Sequence, residues 1–544
     1  MNKHLRRGTA TLAVAAALLS GGLSSCTKDL DRYPFYDLNT ESVYRDPANY
    51  IQVLAKLYAG FNLSGQGTTG SPDVFEGDGL DEGETSYLRA YWYLQELATD
   101  EAVVAWNSGP LQELNKTTWT SSNDLMRNSY TRIFYEITAC NEFIRETTDD
   151  KLSERNIAGQ DAVNARLFRA EARFLRALAY YHALDLYGNV PLVTEAGVPG
   201  NELPKQATRA EVFAYIESEL KAVEPLLNKP QQGPYGRADQ GAAWALLAKL
   251  YLNAEVYTGT ARYTDCLTYC NKVLGGGYSL APEYAQIFMA DNNVKAKSEI
   301  IFPITSDGLA SQTYGGTTYL IHAAIGGRML GSAFGVSSGW AGNRTRKNLP
   351  LLFPENAEGF DSRAMFFTIG QELEINDLTV FTDGYGVTKW SNKKSTGANG
   401  SDPTGTFVDT DFPVLRLADV YLMYAEAVLR GGQGGSQAQA LTYVNDLRDR
   451  AYGNKFSGGT AGRITLAELT APNFILDERG RELYWECTRR TDLIRFGRFT
   501  SGSYLWPWKG GVKEGKGVSD NLNLYPIPST DIVANPTLKQ NPGY

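Results

Sequence analysis

The sequence is poor in the residues from which most hydrolytic and metal centres are built: 544 residues hold three histidines and five cysteines. Cys266 and Cys270 stand four apart in a helical pattern, which suits side-by-side packing better than a bridge, and a zinc site of Cys/His type is not supported. With Cys140 and Cys487 they read as core thiols. Also missing is an apolar run of the roughly 20 residues that span a bilayer; the alanine-rich stretch 9–23 falls short of it. Basic charge is scarce too, with 52 Lys and Arg against 61 Asp and Glu, a net charge of −9. Three of the basic residues and none of the acidic ones lie in residues 1–25, so the remainder carries −12. Nucleic-acid binding needs clustered Lys and Arg to neutralise phosphate, so an acidic chain of this kind argues against it. The same charge argues against peripheral binding to anionic lipid.

What is present begins at the N-terminus. Lys3, Arg6 and Arg7 precede the apolar stretch, the order of a signal peptide covering residues 1–25. It ends in Leu23-Ser24-Ser25-Cys26, which resembles the bacterial lipobox. In that motif the Cys26 thiol takes a diacylglycerol, and acyl chains hold a soluble body on the membrane. An ordinary signal peptide cut near Ser25, leaving a free cysteine, is the alternative. The charged stretch from Thr27 to Asp31 resembles the export signal that sends lipoproteins of the Bacteroidetes to the outer face, or is simply a solvated tether.

The body of the chain carries a helical period. Leu167, Ala170, Phe174, Leu178 and Tyr181 form one stripe, stopped by Gly188 and Pro191. Trp244, Leu247, Tyr251 and Ala254 form a second, followed by a helix through Cys266 to Leu274. Leu417, Val420, Tyr424 and Val428 form a third, with a partner in Ala438, Leu441, Val444 and Leu447. The stretches 238–274 and 416–451 are helix–turn–helix units near the ~34-residue length of a tetratricopeptide repeat. The fold class expected is therefore all-α. After the signal peptide, one domain spans 26–544, with tetratricopeptide-like helix pairs over about 164–274 and 412–452 and loop-rich regions over about 62–120 and 300–410, with minor β structure. Loops this long inside a compact domain are functional or disordered, and their aromatics argue for order.

Two catalytic motifs fail on their own chemistry. Gly65 to Gly70 matches a dinucleotide fingerprint by letter, but no strand precedes it and no helix follows. Gly335-Val336-Ser337-Ser338-Gly339 matches a nucleophile elbow, but no histidine follows Ser337 to act as base. Asp81-Glu82 and Asp100-Glu101 are the first pairs to consider for glycoside hydrolysis. What remains is a set of loop aromatics, Trp106, Tyr314, Trp340 and Trp390, near Arg89, Asn107 and Thr313. Sugar rings pack their C–H faces on aromatic rings while their hydroxyls seek polar groups. Each aromatic is otherwise a loop or core anchor.

Several blocks then resemble one family. They are Gly70-Ser71-Pro72-Asp73, Asp81-Glu82-Gly83-Glu84, and Thr99-Asp100-Glu101 through Trp106. Phe168–Gly188, Gly236–Gly259, Phe288–Asn292, Tyr314–Leu320 and Arg481–Phe496 follow, then Tyr525-Pro526-Ile527-Pro528 and Asn541-Pro542-Gly543-Tyr544. In this order they resemble the SusD/RagB family of glycan-binding lipoproteins, its starch binders above all. The resemblance implies a binding protein and not an enzyme. It implies an outer-membrane location, lipid-anchored at Cys26 on the extracellular face, and a SusC-like TonB-dependent transporter as partner. By local alignment it implies a starch-like α-glucan held by an arc of Trp106, Tyr314 and Trp340, with Arg89 binding hydroxyls and Asn107 mapping loosely onto the family's binding asparagine. It also implies a calcium ion held by Asn293, Asp409 and Asp411; calcium takes six to eight oxygens. The alternative for Asp409 and Asp411 is a cap on a helix beginning near Phe412. Trp506-Pro507-Trp508-Lys509 matches the family and reads as packing. The rival functions are a receptor for a different glycan, a surface glycoside hydrolase, and a tetratricopeptide scaffold that binds only protein.

Overall fold

The apolar stripes fold as helices whose ends fall at the caps. The computed structural model describes residues 40–65, 80–197, 203–353 and 360–544. The expected signal peptide, Cys26 and all but Gly65 of the Gly65–Gly70 motif lie outside them, as does Gly70-Ser71-Pro72-Asp73. The chain divides into two units, residues 1–50 and 51–544. In the first, the helix Thr40–Tyr44 is followed by Tyr50, whose hydroxyl donates to the Tyr44 carbonyl at 3.1 Å while the two rings meet edge to face.

The second unit is organised on seven long helices: α1 (Asp124–Glu146), α2 (Gly159–Tyr187), α3 (Arg209–Val223), α4 (Gln240–Leu252), α5 (Tyr263–Leu274), α6 (Leu417–Leu429) and α7 (Gln437–Ala451). Each packs on the next, from α1 on α2 through to α6 on α7. Side chains satisfy donors that the first turns leave free. Asn123 accepts from the Leu125 and Met126 N–H groups, Thr208 and Glu211 form a reciprocal capping box, and Asp239 accepts from Ala242. Helix α2 stops at Tyr187 because Gly188 takes φ +72°, a conformation that side chains resist. Helix α4 is apolar nearly all round and lies mid-array, where buried Ala242, Ala245 and Ala248 let its neighbours approach. On α5, Cys266 and Cys270 are buried and unbridged, their sulfurs 3.9 Å apart.

Helices α5 and α6 are packing neighbours although all of 275–416 lies between them. That excursion leaves the array and returns through β1 (Ile300–Ile304) and β2 (Phe412–Arg416), which pair antiparallel. Asp409 and Asp411 therefore lead into a strand, and the helix expected near Phe412 begins only at Leu417. The loop regions also hold more helix than the sequence suggested: Tyr87–Trp92 and Gly109–Lys116 in one, Gly316–Ala324 in the other. In Gly316–Ala324 the period was hidden because the helix is buried on every side and so has no polar face to mark it.

The strand pair is tied to the last helices by buried ions. Arg416 donates to Glu299 (2.9 Å), Glu482 (2.8 Å) and both oxygens of Glu486. Arg450 pairs with Glu299 (2.7 Å) and Glu482, and Arg363 with Asp361, Glu478 and Glu482. Burial alone would raise the Glu482 pKa, but Arg450, Arg416 and Arg363 around it hold it down to about 2. Lys389 completes the cluster on Glu486 (2.6 Å), its ammonium 4.1 Å from the Tyr484 ring centroid.

Candidate functional site

The expected arc is assembled by the capping needs of one short helix. The last carbonyls of Gly316–Ala324 have no partner within the helix. The following loop supplies them: Trp340 N–H donates to His322 O (2.8 Å), Gly342 N–H to Ala323 O (2.8 Å), and Ala341 N–H to Ile325 O (2.9 Å). Ala341 takes φ +49° to make this turn. Trp340 is thereby fixed over the helix end, and its carbonyl accepts the Trp106 indole N–H at 3.1 Å. Trp106 is held from its own side by the strand Val103–Val104, which pairs antiparallel with Asn343–Arg344. Glycine is required at 342, since a Cβ there would lie 2.7 Å from the Trp106 ring.

Tyr314 enters from the N-terminal side of the same helix. Glu82 holds it by the backbone, accepting from Tyr314 N–H (2.9 Å) and from the Thr313 hydroxyl (2.8 Å) and Ser64 hydroxyl. Arg89 holds the Tyr314 carbonyl (3.3 Å). The peptide that carries Tyr314 is thus clamped at both ends by residues 82 and 89, while its ring stands 39% exposed. The ring lies 6.2 Å from Trp340 and 5.3 Å from Phe407.

Asp81, Glu82, Arg89, Trp106, Tyr314 and Trp340 line one open concavity of about 360 Å³. The structure brings together four of the five residues expected to touch glycan. The fifth, Asn107, is exposed beside Trp106 and is not among the lining residues. Arg89 is present in a different capacity from the one expected. Its Nε donates to the Tyr93 hydroxyl (2.9 Å), its terminal nitrogens reach Asp81, Glu84 and the Tyr314 carbonyl, and its plane lies 4.5 Å from the Tyr319 ring centroid. With its donors engaged and 2% of its surface exposed, Arg89 orders the site more than it offers N–H groups. Asp81, whose side chain is 61% exposed, presents acceptor oxygens to the opening instead.

Other expected residues fall elsewhere. Trp390 is buried, stacked on Phe412 at 5.3 Å, and anchors the core. Asp100 and Glu101 are buried against Arg489, so neither forms an open acid pair. Ser337 has no strand before it and no helix after it, and the ring nitrogens of the nearby His322 meet carbonyl oxygens, not a hydroxyl. Trp506 is buried and Trp508 packs on Val103, Ile375 and Leu378, as the packing reading expects.

Of the residues expected to hold calcium, Asp409 and Asp411 lie near enough for the Asp409 charge to act on Asp411. Asp409 accepts from Gly308 N–H (2.9 Å) and from the Ser401 N–H and hydroxyl (2.6 Å each). Asp411 accepts from Ser306 N–H (2.8 Å) and the Tyr235 hydroxyl (2.9 Å), and burial raises its pKa to about 7. Asn293 is exposed; its neighbour Asn292 is the residue that reaches the Asp411 backbone. Among the described residues no group of three His, Cys, Asp or Glu side chains gathers, so a calcium ion here would draw on Asp409, Asp411 and neutral oxygens such as the Asn293 amide, and it stands as a proposal. The residues that sequence reasoning missed are Glu82 as a clamp, Phe407 behind Tyr314, and His322 under Trp340. The last carried one signal, as one of only two histidines beyond residue 25.

Two family models match, the SusD family over residues 370–544 and "starch-binding associating with outer membrane" over residues 80–252. The chain is 36% identical over 580 aligned residues to the starch-binding protein SusD of Bacteroides thetaiotaomicron, covering 98% of each. A SusD-like protein of Bacteroides fragilis superposes with a TM-score of 0.68 at 19% identity, covering 94% of this chain and 100% of the other. Surface glycan-binding protein A of B. thetaiotaomicron, solved with laminarihexaose, gives 0.67 at 18% identity, covering 91% and 99%. No described helix is long and apolar enough to cross a membrane. With a full-length relative at this identity and a shared helical frame, the chain belongs to the SusD family, whose members are binding proteins and not enzymes.

Proposed function

We propose that the protein is a cell-surface receptor that binds starch-like α-glucan in the Trp106–Tyr314–Trp340 concavity and passes it to a TonB-dependent transporter. One observation carries this reading: three aromatics from separate loops are fixed around one open concavity, Trp340 by helix capping, Tyr314 by Glu82 and Arg89, and Trp106 by its indole N–H, with Tyr314 left exposed. Such rings offer apolar faces to sugar C–H groups, and Asp81 offers acceptors to hydroxyls. The choice of α-glucan is supported by the 36% identical starch-binding relative. The fold alone does not select it, since the superposed laminarihexaose complex shares the frame at 18% identity. Cys26 carries the proposed acyl anchor, so Cys26→Ala should release the protein from the cell surface. The direct test is retardation of the soluble protein in affinity gels containing amylopectin, pullulan, dextran, inulin or xylan. Retardation by amylopectin and pullulan alone is expected; retardation by xylan or inulin instead would assign another glycan.

A further inference from the structure

His322 lies on the Gly316–Ala324 helix directly beneath the platform, and its surroundings are unusual for a neutral imidazole. Its Nδ1 is 2.7 Å from the Ser338 carbonyl and its Nε2 is 2.9 Å from the Thr406 carbonyl. Both partners only accept, whereas a neutral ring has one donor nitrogen and one acceptor. Only the doubly protonated ring satisfies both contacts; the neutral ring leaves a nitrogen lone pair facing an oxygen lone pair. The ring also stacks on the Trp340 indole, with centroids 4.7 Å apart and planes 20° apart, a geometry that favours a cation. Its backbone carbonyl holds Trp340 N–H as well. One side chain therefore joins the Ser338–Trp340 loop to the Thr406–Phe407 turn, and Phe407 in turn backs Tyr314.

We propose, on the glycan-binding reading above, that His322 is a positioning residue that acts as an imidazolium, donating to Ser338 O and Thr406 O at once, so that glycan affinity rises as the medium acidifies. Neither ring nitrogen bonds a charged side chain. On the 400–409 loop, Asp402 accepts from the Thr406 and Phe407 N–H groups and Asp409 from Gly308 and Ser401. On the 325–345 loop, Arg344 donates to the Asp383 and Leu378 carbonyls, and Arg328 lies against Gly370. Besides His322 the Gly316–Ala324 helix carries one titratable group, the Tyr319 phenol, which burial keeps neutral throughout this range. Burial pushes the ring pKa below its usual 6.5, while the two carbonyls pull it back up. The protonated form therefore gains weight below that value; Asp411, raised to about 7, also takes up a proton in this range, and His322→Gln separates the two because it leaves Asp411 in place. A sugar stacked on Trp340 needs the loop in place, so it binds the protonated form more tightly and, by linkage, raises the His322 pKa in return.

The composition makes the test clean. His4 lies in residues 1–25, which leaves His182 and His322 in the processed chain. His182 is buried with Nδ1 2.8 Å from the Tyr87 hydroxyl, and burial pushes its pKa down to about 3, so it serves as a neutral reference. Imidazole nitrogen NMR should show His322 protonated on both nitrogens at acid pH, and maltoheptaose should raise its pKa. Calorimetry should then find affinity for maltoheptaose rising roughly three- to tenfold from about pH 7.5 to about pH 5 in the wild type. His322→Gln, whose amide bonds a carbonyl without titrating, should give a flat profile. A flat wild-type profile, the same slope in His322→Gln, or a singly protonated ring at acid pH would each overturn the proposal. Absence of maltoheptaose binding at every pH would instead sink the glycan reading. The ring titration of the free protein would still decide the clamp, so the two failures are distinguishable.

Discussion

Around Arg416 and around Arg89 the chain gathers the same groups, guanidinium and carboxylate, to opposite ends. The Arg416 cluster is closed: Glu299, Glu478, Glu482, Arg363, Arg416 and Arg450 are all buried, and each carboxylate oxygen meets a cation. It joins the strand pair to the helices that follow the 275–416 excursion. The Arg89 cluster is closed on one side only. Arg89 and Glu82 hold the Tyr314 peptide, and the ring is left facing solvent. The difference teaches that charge in this protein is mainly a fastening. Recognition is left to the aromatic faces that the fastenings hold out.

The comparison is broken most severely from the closed side. Arg416→Met leaves Glu482 and Glu486 short of a partner in the interior, and removing one member of a buried pair costs about 3–5 kcal/mol. A fall in melting temperature with little change in glycan affinity at low temperature is expected. Equal melting of mutant and wild type would show that the cluster does not fasten the fold.

Acid should act on the same cluster without mutation. Against the push of burial, Arg450, Arg416 and Arg363 hold Glu482 down to about 2, and outside that cluster Arg495 and Arg430 do the same for the buried Glu426. Depressed carboxylates contribute stability that is complete above their unfolded pKa, about 4.3, and lost as pH falls toward 2, roughly 2–3 kcal/mol for each. Their contribution to denaturant stability should be flat from about pH 7 to about pH 5 and fall steeply below about pH 4. A loss beginning near neutrality would have to come from other groups.

On the open side the effects are smaller and fall on binding. Tyr314→Ala should weaken maltoheptaose binding by about 1–2 kcal/mol with an unchanged melt, since its ring is exposed and its fastenings are backbone. Glu82→Ala, which removes the clamp but keeps the ring, should cost about 1 kcal/mol of affinity. Asn107→Ala should change affinity by less than about 0.5 kcal/mol, because Asn107 is exposed and does not line the concavity. A large Asn107 effect would move the site toward the mouth of the 106–109 loop.

The helical array was legible because its signal is local. The stripes from Leu167 to Tyr181 and from Leu417 to Val428 repeat every three to four residues, and α2 and α6 lie over them. The ionic cluster was not legible, since Arg416 and Glu482 are 66 residues apart and buried charges look like surface ones in a sequence. Trp106, Tyr314 and Trp340 were found through resemblance and loop composition. Trp390, of the same composition, proved to be core because stacking on Phe412 is a long-range fact that no local pattern carries. Asn293, which the alignment named, is exposed, and the hydrogen bond to the Asp411 backbone comes from its neighbour Asn292, a distinction of one residue that no local pattern carries. His322 was invisible as a positioning residue, since its partners are backbone carbonyls.

The account rests on a curved aromatic concavity that recognises α-glucan, and calorimetry on the soluble protein with maltoheptaose, a cyclodextrin and cellohexaose tests it most directly. A chain that already bends loses less freedom on binding, so the cyclodextrin and maltoheptaose should bind in the micromolar-to-millimolar range, about −4 to −8 kcal/mol, and cellohexaose not measurably. Equal affinity for all three, or a preference for the straight cellohexaose, would contradict it.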